Sequence, residues 1–354
     1  MPVLSETGRS GAVALRRGWP LLAGLMAVLL ILLVGLLQPA VIAFVPGPTE
    51  NVVSNIRVAG ASAPSFVPSP GALDLTTVDI EDRLSLYGVL LAQLNGHVEL
   101  FPRAAIFPPG QSSAESALLG LAQMQSAKDT AIAVALRLLG RPAPTPAGAL
   151  IIGALPGTGA FGRLQAQDRV VAVGHVTVTD VADLRAALQR YRPGERVRLS
   201  IIRAGRRLVV QFRAGSAPGA PRLAYLGVVA IDALQTVPSV QINTGLIGGP
   251  SAGLMLTLGI YERLSGRDLT GGRVIAGTGT ISSDGAVGPI GGVREKVVGA
   301  RRAGATVFFV PVGNLAHARS ARPAGLKLVP VTTVSQALSW LLHHPLHGTM
   351  RGGR

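Results

Sequence analysis

The chain has 354 residues, enough for two or three domains, and no cysteine, which excludes disulfides, zinc–thiolate sites and cysteine nucleophiles. Its formal net charge of +15 comes from scattered residues that no aromatic surface accompanies, so we do not expect a nucleic acid partner. Among the six histidines, only His343, His344 and His347 lie near one another, in a stretch that we predict to be a solvated tail. We therefore expect neither a metal site nor a cofactor.

The N-terminal region is predicted to cross a membrane. Residues 21–37 carry no polar side chain, and no charged residue occurs between Arg17 and Glu50. A helix of about 20 apolar residues spans a bilayer, whereas the apolar core of a secretory signal has about 7–15. We predict a cytoplasmic tail over 1–17 and an uncleaved transmembrane helix over 18–45, oriented by the arginines that precede it. A signal peptide cleaved near Val41 and Ala43 is the alternative.

The next region, 46–146, is predicted to be a juxtamembrane α/β segment that ends in a linker. The stretch ALDLTTVDI has the composition of a strand, and Ser113 to Gly140 has helical periodicity. The sequence RPAPTPAG then combines proline with small residues, which is typical of a linker.

Residues 147–214 are predicted to form a compact β-rich unit with one main helix. A strand over 149–155 is followed by GRLQAQDRVVAVGH, by an amphipathic helix capped by Asp180, and by a hairpin that turns at Ala204-Gly205. This unit resembles a PDZ domain of the bacterial arrangement. The resemblance implies a peptide groove between the 149–155 strand and the 180–191 helix. Its predicted lining residues are Ala149, Leu150, Ile151, Ile152, Leu184 and Leu188.

The stretch GGPSAG places one serine, Ser251, before an apolar run that predicts a buried helix over 251–264. Three roles fit Ser251: a helix cap, part of a phosphate loop, or a nucleophile. A phosphate loop needs a Gly-Lys pair, which this sequence lacks. A hydrolase elbow needs a preceding strand and a suitable histidine downstream, and neither is found here. Helix capping and nucleophilic catalysis both remain open.

A base for Ser251 is available only as a lysine. Three of the 33 basic residues are lysines, and Lys296 lies on a predicted helix over 293–303, flanked by Gly299, Ala300 and Ala303. Small neighbours allow a lysine to be partly desolvated, which lowers its pKa, and a neutral amine can deprotonate a serine. An ordinary surface lysine with a buried stem is the alternative.

The motifs GGPSAG, AGTGTISSDGAVGPIGGVREK and AGATVFFVP resemble the proteolytic domain of Lon-type serine proteases. Together with the preceding regions, the chain resembles the membrane-anchored PDZ–Lon serine protease family of bacteria. The resemblance implies an α+β proteolytic domain over 222–345 and a Ser–Lys dyad of Ser251 and Lys296, with Thr278 orienting the lysine. Gly248 departs from the pattern, because many ATP-dependent members have an aspartate there.

We therefore expect a multidomain, single-pass membrane protein: a transmembrane helix, a mixed α/β region, a PDZ-like domain, an α+β proteolytic domain and a basic tail over 346–354. The expected function is ATP-independent endopeptidase action outside the cytoplasmic membrane on exposed segments of proteins or peptides, with the PDZ domain binding or gating the substrate. A hexameric ring is implied by the resemblance alone. The alternative function is a non-catalytic PDZ/Lon-like adaptor at the membrane surface.

Overall fold

A computed structural model of the chain describes residues 11–60, 70–94, 98–107, 112–321 and 324–344. It divides into two compact units, one from residues 1–45 and 80–106, the other from residues 46–79 and 107–354. In chain order the elements are α1 (Gly11–Gly35), β1 (Val41–Asn51), β2 (Ile56–Ala59), β3 (Ala72–Glu81), α2 (Leu86–Leu94), β4 (Glu99–Pro102), α3 (Arg103–Ile106), α4 (Ser113–Leu138), β5 (Thr145–Ala154), β6 (Arg169–Val173), β7 (Val176–Thr177), α5 (Val181–Leu188), β8 (Arg196–Arg203), β9 (Arg206–Arg213), β10 (Gly215–Ala217), β11 (Ala220–Tyr225), β12 (Val228–Gln235), β13 (Ser239–Ile242), α6 (Gly253–Ser265), β14 (Val274–Gly277), β15 (Thr280–Ile281), β16 (Val287–Gly288), α7 (Val293–Arg302), β17 (Val307–Pro311), a 3₁₀ turn (Val312–Asn314), α8 (Leu315–Ser320), β18 (Lys327–Val331) and α9 (Val334–His343).

The first unit contains α1 and α2, and in it the start of β1 pairs antiparallel with β4, from Val41 opposite Pro102 to Phe44 opposite Glu99. The predicted transmembrane helix over 18–45 is therefore wrong in its C-terminal bound. The helix ends at Gly35, because Pro39 cannot continue it and the β-branched Val41 and Ile42 enter a strand. Within the described residues, no helix meets the length and apolarity needed to cross a bilayer. Residues 1–10 of the predicted tail lie outside the described part.

The second unit contains a sheet with the strand order β12–β5–β6–β8–β9, and α5 packs against its core. The predicted hairpin is confirmed as β8 and β9, which turn at Ala204-Gly205. The predicted cap of α5 is confirmed as well, because the Asp180 carboxylate accepts a 2.7 Å hydrogen bond from the Asp183 N–H. The sequence did not predict β12, which pairs antiparallel with β5 along almost its whole length.

The same unit contains a second sheet with the order β18–β17–β14–β3–β1, in which the pairs β18–β17, β17–β14 and β14–β3 are parallel. Alternate strand residues face opposite sides. Ile275 and Phe309 contact a core built with α4, α6 and α9, whereas Ala276 and Phe308 contact a core that includes α7 and α8. Helices thus cover both faces, and this arrangement differs from the α+β arrangement that we expected.

The predicted boundary between a region over 46–146 and a proteolytic domain over 222–345 is not a boundary in the structure. Leu73 of β3 and Met124 of α4 belong to the same buried cluster as Leu254 of α6 and Leu338 of α9. Parallel strands can be joined only through long crossovers, so β3 and β14 can be neighbours although some 200 residues separate them. The β12–β5–β6–β8–β9 sheet is inserted between α4 and β13. The predicted tail over 346–354 lies outside the described residues.

Leu73 tests this shared core, because it is fully buried although it lies far upstream of the predicted proteolytic domain. We expect Leu73→Ala to lower the free energy of unfolding by about 2–5 kcal/mol, through lost burial and the cavity left behind. Chemical denaturation of the purified chain measures this change. Leu208→Ala is the control, since Leu208 is 40% exposed on β9 and an exposed substitution costs less than about 0.5 kcal/mol. Equal effects of the two substitutions would contradict the shared core.

Candidate active site

Ser251 lies in the turn immediately before α6, not within the helix as predicted, because α6 begins at Gly253. Its carbonyl oxygen accepts hydrogen bonds from the Gly279 N–H at 2.8 Å and from the Thr278 hydroxyl at 3.0 Å. A Cβ atom on Gly253 would lie 2.6 Å from the Ile281 side chain and 2.9 Å from its backbone nitrogen, so only glycine allows the turn to pack this closely on β15. The helix-cap role is excluded, since the N-cap of α6 is Ala252 and no side chain caps the helix.

Lys296 lies in the first half of α7 and is 4% exposed. The N-cap of the helix is Gly292, whose φ of +65° is in the left-handed region that favours glycine. The loop before α7 is held by Asn314, which accepts a hydrogen bond from the Ile290 N–H and donates one to the Ile290 carbonyl, both at 2.9 Å. These contacts direct the lysine toward the turn that contains Ser251.

The structure brings the three predicted residues together. Nζ of Lys296 is 2.6 Å from Oγ of Ser251 and 3.3 Å from Oγ1 of Thr278. Thr278 follows β14 directly, and its N–H donates to the Phe309 carbonyl of the neighbouring strand β17 at 3.1 Å. The site is therefore assembled from the start of one helix, the first half of another and the end of a parallel strand.

The burial of this site makes Lys296 easier to deprotonate than a lysine in water. Burial lowers the pKa of Lys296 from 10.5 to about 8, because desolvation disfavours the ammonium form. At 2.6 Å the Ser251 hydroxyl can donate a hydrogen bond to the neutral amine, which is the geometry of general-base activation. No cluster of three or more histidine, aspartate or glutamate side chains in the described ranges is placed to hold a metal ion.

Gly248, the position where an aspartate was considered, packs against α4. The Gly249 N–H donates a 2.8 Å hydrogen bond to the Gly120 carbonyl, which holds the loop against that helix. A Cβ atom on Gly248 would lie 3.2–3.4 Å from Gly120 backbone atoms. These atoms cannot rotate aside as a side chain can, so a side chain at position 248 would require α4 and the serine loop to move apart by a few tenths of an ångström.

A groove beside Ser251 leads away along α4 and has a volume of about 370 Å³. Its lining is mainly apolar, with two hydroxyl groups and one amide, and consists of Leu119, Ala122, Gln123, Ser126, Ala127, Thr130, Pro250 and Ile281. Sequence analysis missed the contribution of α4 to the site. The available signal was the set of small residues Ala122, Ser126 and Ala127, which their spacing places toward one side of the helix.

The predicted peptide groove of the PDZ-like unit was placed beside the wrong strand. Ala149, Leu150 and Ile151 belong to β5, whose outer edge is occupied by β12 of the same chain. The position of β12 next to α5 is held by a 2.8 Å hydrogen bond from the Val181 N–H to the Asp232 carboxylate. Ile152, on the same strand, is buried as well.

The open groove of this unit instead lies between α5 and the segment that leads into β12, and its volume is about 380 Å³. Leu184 and Leu188, which were predicted, do line it. The remaining lining residues are Val181, Arg185, Gln189, Ala217, Leu223, Ala224, Tyr225, Leu226, Gly227, Val228 and Ala230. The available signal in the sequence was Gly227 directly before the apolar, β-branched run that starts at Val228. In the structure this glycine has a φ of +75°.

The chemistry of Ser251 should follow the protonation of Lys296. Below about pH 8 the neutral fraction of Lys296 falls about tenfold for each pH unit, since the lysine must lose its proton to act as a base. We expect the rate at which an organophosphorus reagent labels Ser251 to rise with pH and to level off above about 8. Mass spectrometry of the labelled peptide measures this rate, with Ser251→Ala as the blank. A rate that does not change with pH would show that Lys296 is not the base.

The comparisons with known proteins agree with this arrangement. A family model of the Lon protease (S16) C-terminal proteolytic domain matches residues 240–344, and a PDZ domain model matches residues 130–212. Lon protease 2 of Herpetosiphon aurantiacus is 46% identical over 67 residues, which are 19% of this chain and 8% of that protein. Lon protease of Chloroflexus aurantiacus is 38% identical over 100 residues, which are 27% of this chain and 12% of that protein.

Among solved structures, GtR34C of Geobacillus thermodenitrificans is 27% identical and covers 23% of this chain and 94% of its own, with a TM-score of 0.22. The chain spans only about a tenth of the length of the two curated Lon proteases. The residues that the proteolytic-domain model matches include Ser251, Thr278 and Lys296. The chain thus contains a Lon-type (S16) C-terminal proteolytic domain, and it also contains a PDZ domain.

Proposed function

We propose that this chain is a membrane-anchored serine endopeptidase that works without ATP and uses Ser251 and Lys296 as a catalytic dyad. The observation that carries the proposal is the 2.6 Å contact between Nζ of Lys296 and Oγ of Ser251, made by a lysine that is 4% exposed. The absence of a Gly-Lys pair from the sequence supports independence from ATP, because a phosphate loop needs that lysine.

The proposed reaction is acyl transfer to water. Oγ of Ser251 attacks the carbonyl carbon of a peptide bond while Nζ of Lys296 accepts the hydroxyl proton. The same amine then gives this proton to the leaving nitrogen, and the acyl-enzyme is hydrolysed by a water that Lys296 deprotonates. Thr278 orients the amine through its 3.3 Å contact. Backbone N–H groups in the turn before α6 stabilise the oxyanion, because they point out of the helix N-terminus.

The proposed substrates are exposed segments of proteins or peptides, because an extended segment can enter the groove beside Ser251 and no unfolding motor is part of the proposal. A peptide that binds the PDZ domain would lie between α5 and β12 and extend the sheet at the β12 edge. Since β12 leads through β13 toward Ser251, this groove can present or restrain the substrate. A homo-oligomeric ring of six copies is supported only by the resemblance to Lon-type domains.

Anchoring in the cytoplasmic membrane, with the PDZ and proteolytic domains outside, is part of this proposal. Its support is the uncharged stretch between Arg17 and Glu50, and the large exposed fractions of the α1 side chains, such as Leu25 at 67% and Leu29 at 59%. Side chains of this kind are unfavourable in water and favourable in a lipid bilayer.

The dyad can be tested with Ser251→Ala and Lys296→Arg in the full-length chain, using an unstructured protein as substrate. We expect no cleavage by Ser251→Ala. For Lys296→Arg we expect kcat/KM to fall about 100- to 10,000-fold, the usual contribution of a general base, because arginine does not release its proton near neutral pH. Lys327→Arg is the matched control, since Lys327 is an exposed lysine on β18.

The appearance of new peptide termini, read by mass spectrometry, is the measurement. Wild-type rates in Lys296→Arg would remove this lysine from the mechanism. If the wild-type protein and Ser251→Ala give identical peptide termini, the result would instead favour the adaptor function.

The position of the PDZ groove can be tested in the Ser251→Ala background, so that bound peptides stay intact. We expect Leu188→Asp to weaken the binding of a peptide with an apolar C-terminus by at least about tenfold, because the aspartate adds a charge to a mainly apolar groove. Leu208→Asp is the control on the exposed strand β9, and circular dichroism checks that both variants fold. Fluorescence anisotropy of a labelled peptide measures affinity, and unchanged affinity in Leu188→Asp would place the peptide elsewhere.

A further inference from the structure

Helix α2 presents an apolar stripe to the outside instead of to a core. Tyr87, Leu90, Leu91 and Leu94 follow the i, i+3, i+4, i+7 spacing of one helix face, and they are 41%, 50%, 67% and 85% exposed. No lysine, arginine, aspartate or glutamate occurs between Arg83 and Glu99. A helix on the surface of a protein in water normally exposes its polar face. Helix α2 exposes an apolar face instead.

The stripe is attached to the end of α1. The ring of Tyr87 packs on Gly35, the last residue of α1, so closely that a Cβ atom there would overlap Cε2 of the tyrosine. The Leu86 N–H donates a 2.9 Å hydrogen bond to the Leu37 carbonyl, and the Ser85 hydroxyl accepts a 3.1 Å hydrogen bond from the Gly88 N–H at the start of α2. Helix α2 therefore begins where the apolar run of residues 21–37 ends.

The length of α2 determines how it can meet a bilayer. Nine residues of helix measure about 13 Å, whereas the hydrocarbon core is about 30 Å thick, so α2 cannot span it. Because α2 begins where the apolar run ends, a bilayer around that run would place α2 at the membrane–water interface. Tyrosine is enriched at this interface, because its ring has an apolar body and a polar end. An exposed arginine, Arg83, precedes the helix and can reach lipid phosphates.

We propose that α2 is an interfacial helix that inserts its Tyr87, Leu90, Leu91 and Leu94 face into the outer leaflet beside α1. This inference rests on the membrane anchor of the proposed function. The exposed apolar residues of α2 and those of α1, such as Leu32 at 57% and Leu33 at 62%, then contact one continuous lipid surface. Two attachments, α1 and α2, fix the orientation of the first unit at the membrane, which a single helix does not.

The absence of cysteine allows a direct test in the full-length chain. A nitroxide label is attached to Leu91→Cys or Leu94→Cys, and the protein is reconstituted into vesicles of phosphatidylcholine and phosphatidylglycerol. Leu29→Cys on α1 and Leu208→Cys on β9 are reference positions, and all four side chains are at least 40% exposed. Accessibility of each label to oxygen, which concentrates in lipid, and to a polar nickel chelate is measured by electron paramagnetic resonance.

We expect the labels at 91 and 94 to resemble the label at 29, with oxygen access above nickel access, and the label at 208 to show the reverse. If the labels at 91 and 94 resemble the label at 208 while the label at 29 remains in lipid, α2 does not lie in the bilayer interface. The proposed membrane anchor is then still supported. If neither reagent reaches 91 and 94, a protein partner or a second copy covers the stripe, which also overturns the inference. If the label at 29 lies in water, the anchor itself fails.

Discussion

The chemistry of this molecule depends on one constraint, that a lysine is kept out of water within hydrogen-bonding distance of a serine. Nζ of Lys296 lies 2.6 Å from Oγ of Ser251, and burial brings the pKa of the lysine down to about 8. Desolvation of an amine is unfavourable, so packing elsewhere must maintain it. That packing comes from the core that α7 forms with α8, β14 and β17, and from the turn that Thr278 and Gly279 hold.

The insertion of the PDZ domain explains why the order of the chain and the order of the sheet differ. Strands β1 and β3 and helix α4 come before the insertion, and they share a core with α6, β14 and α9, which come after it. Helix α4 contributes both to the hydrophobic core and to the wall of the groove beside Ser251. The strand β12 completes the PDZ sheet before the chain returns to the proteolytic domain. Residues 236–250 join β12, which borders the open groove of the PDZ domain, to Ser251.

Local patterns predicted several elements well, because the contacts that stabilise them lie within a few residues. Helix α4, the Asp180 cap of α5 and the hairpin of β8 and β9 follow the predicted positions. The predictions that failed concerned long-range partners. The extended conformation of residues 228–235 does not reveal that they pair with β5, and the hydrophobicity of β3 does not reveal β14 as its neighbour. Strand pairing at large sequence separation has no local signature.

The sequence by itself singled out two residues of the site, one serine in a glycine-rich turn and a rare lysine on a helix of small residues, and the resemblance to Lon-type proteases added Thr278. The sequence also determined the charge-free apolar run near the N-terminus. Only the tertiary structure decided that Lys296 is desolvated, that Gly248 lies against Gly120, and that the open groove of the PDZ domain borders β12 instead of β5. The physical reason is that desolvation and edge pairing are properties of surrounding atoms, which come from distant parts of the chain.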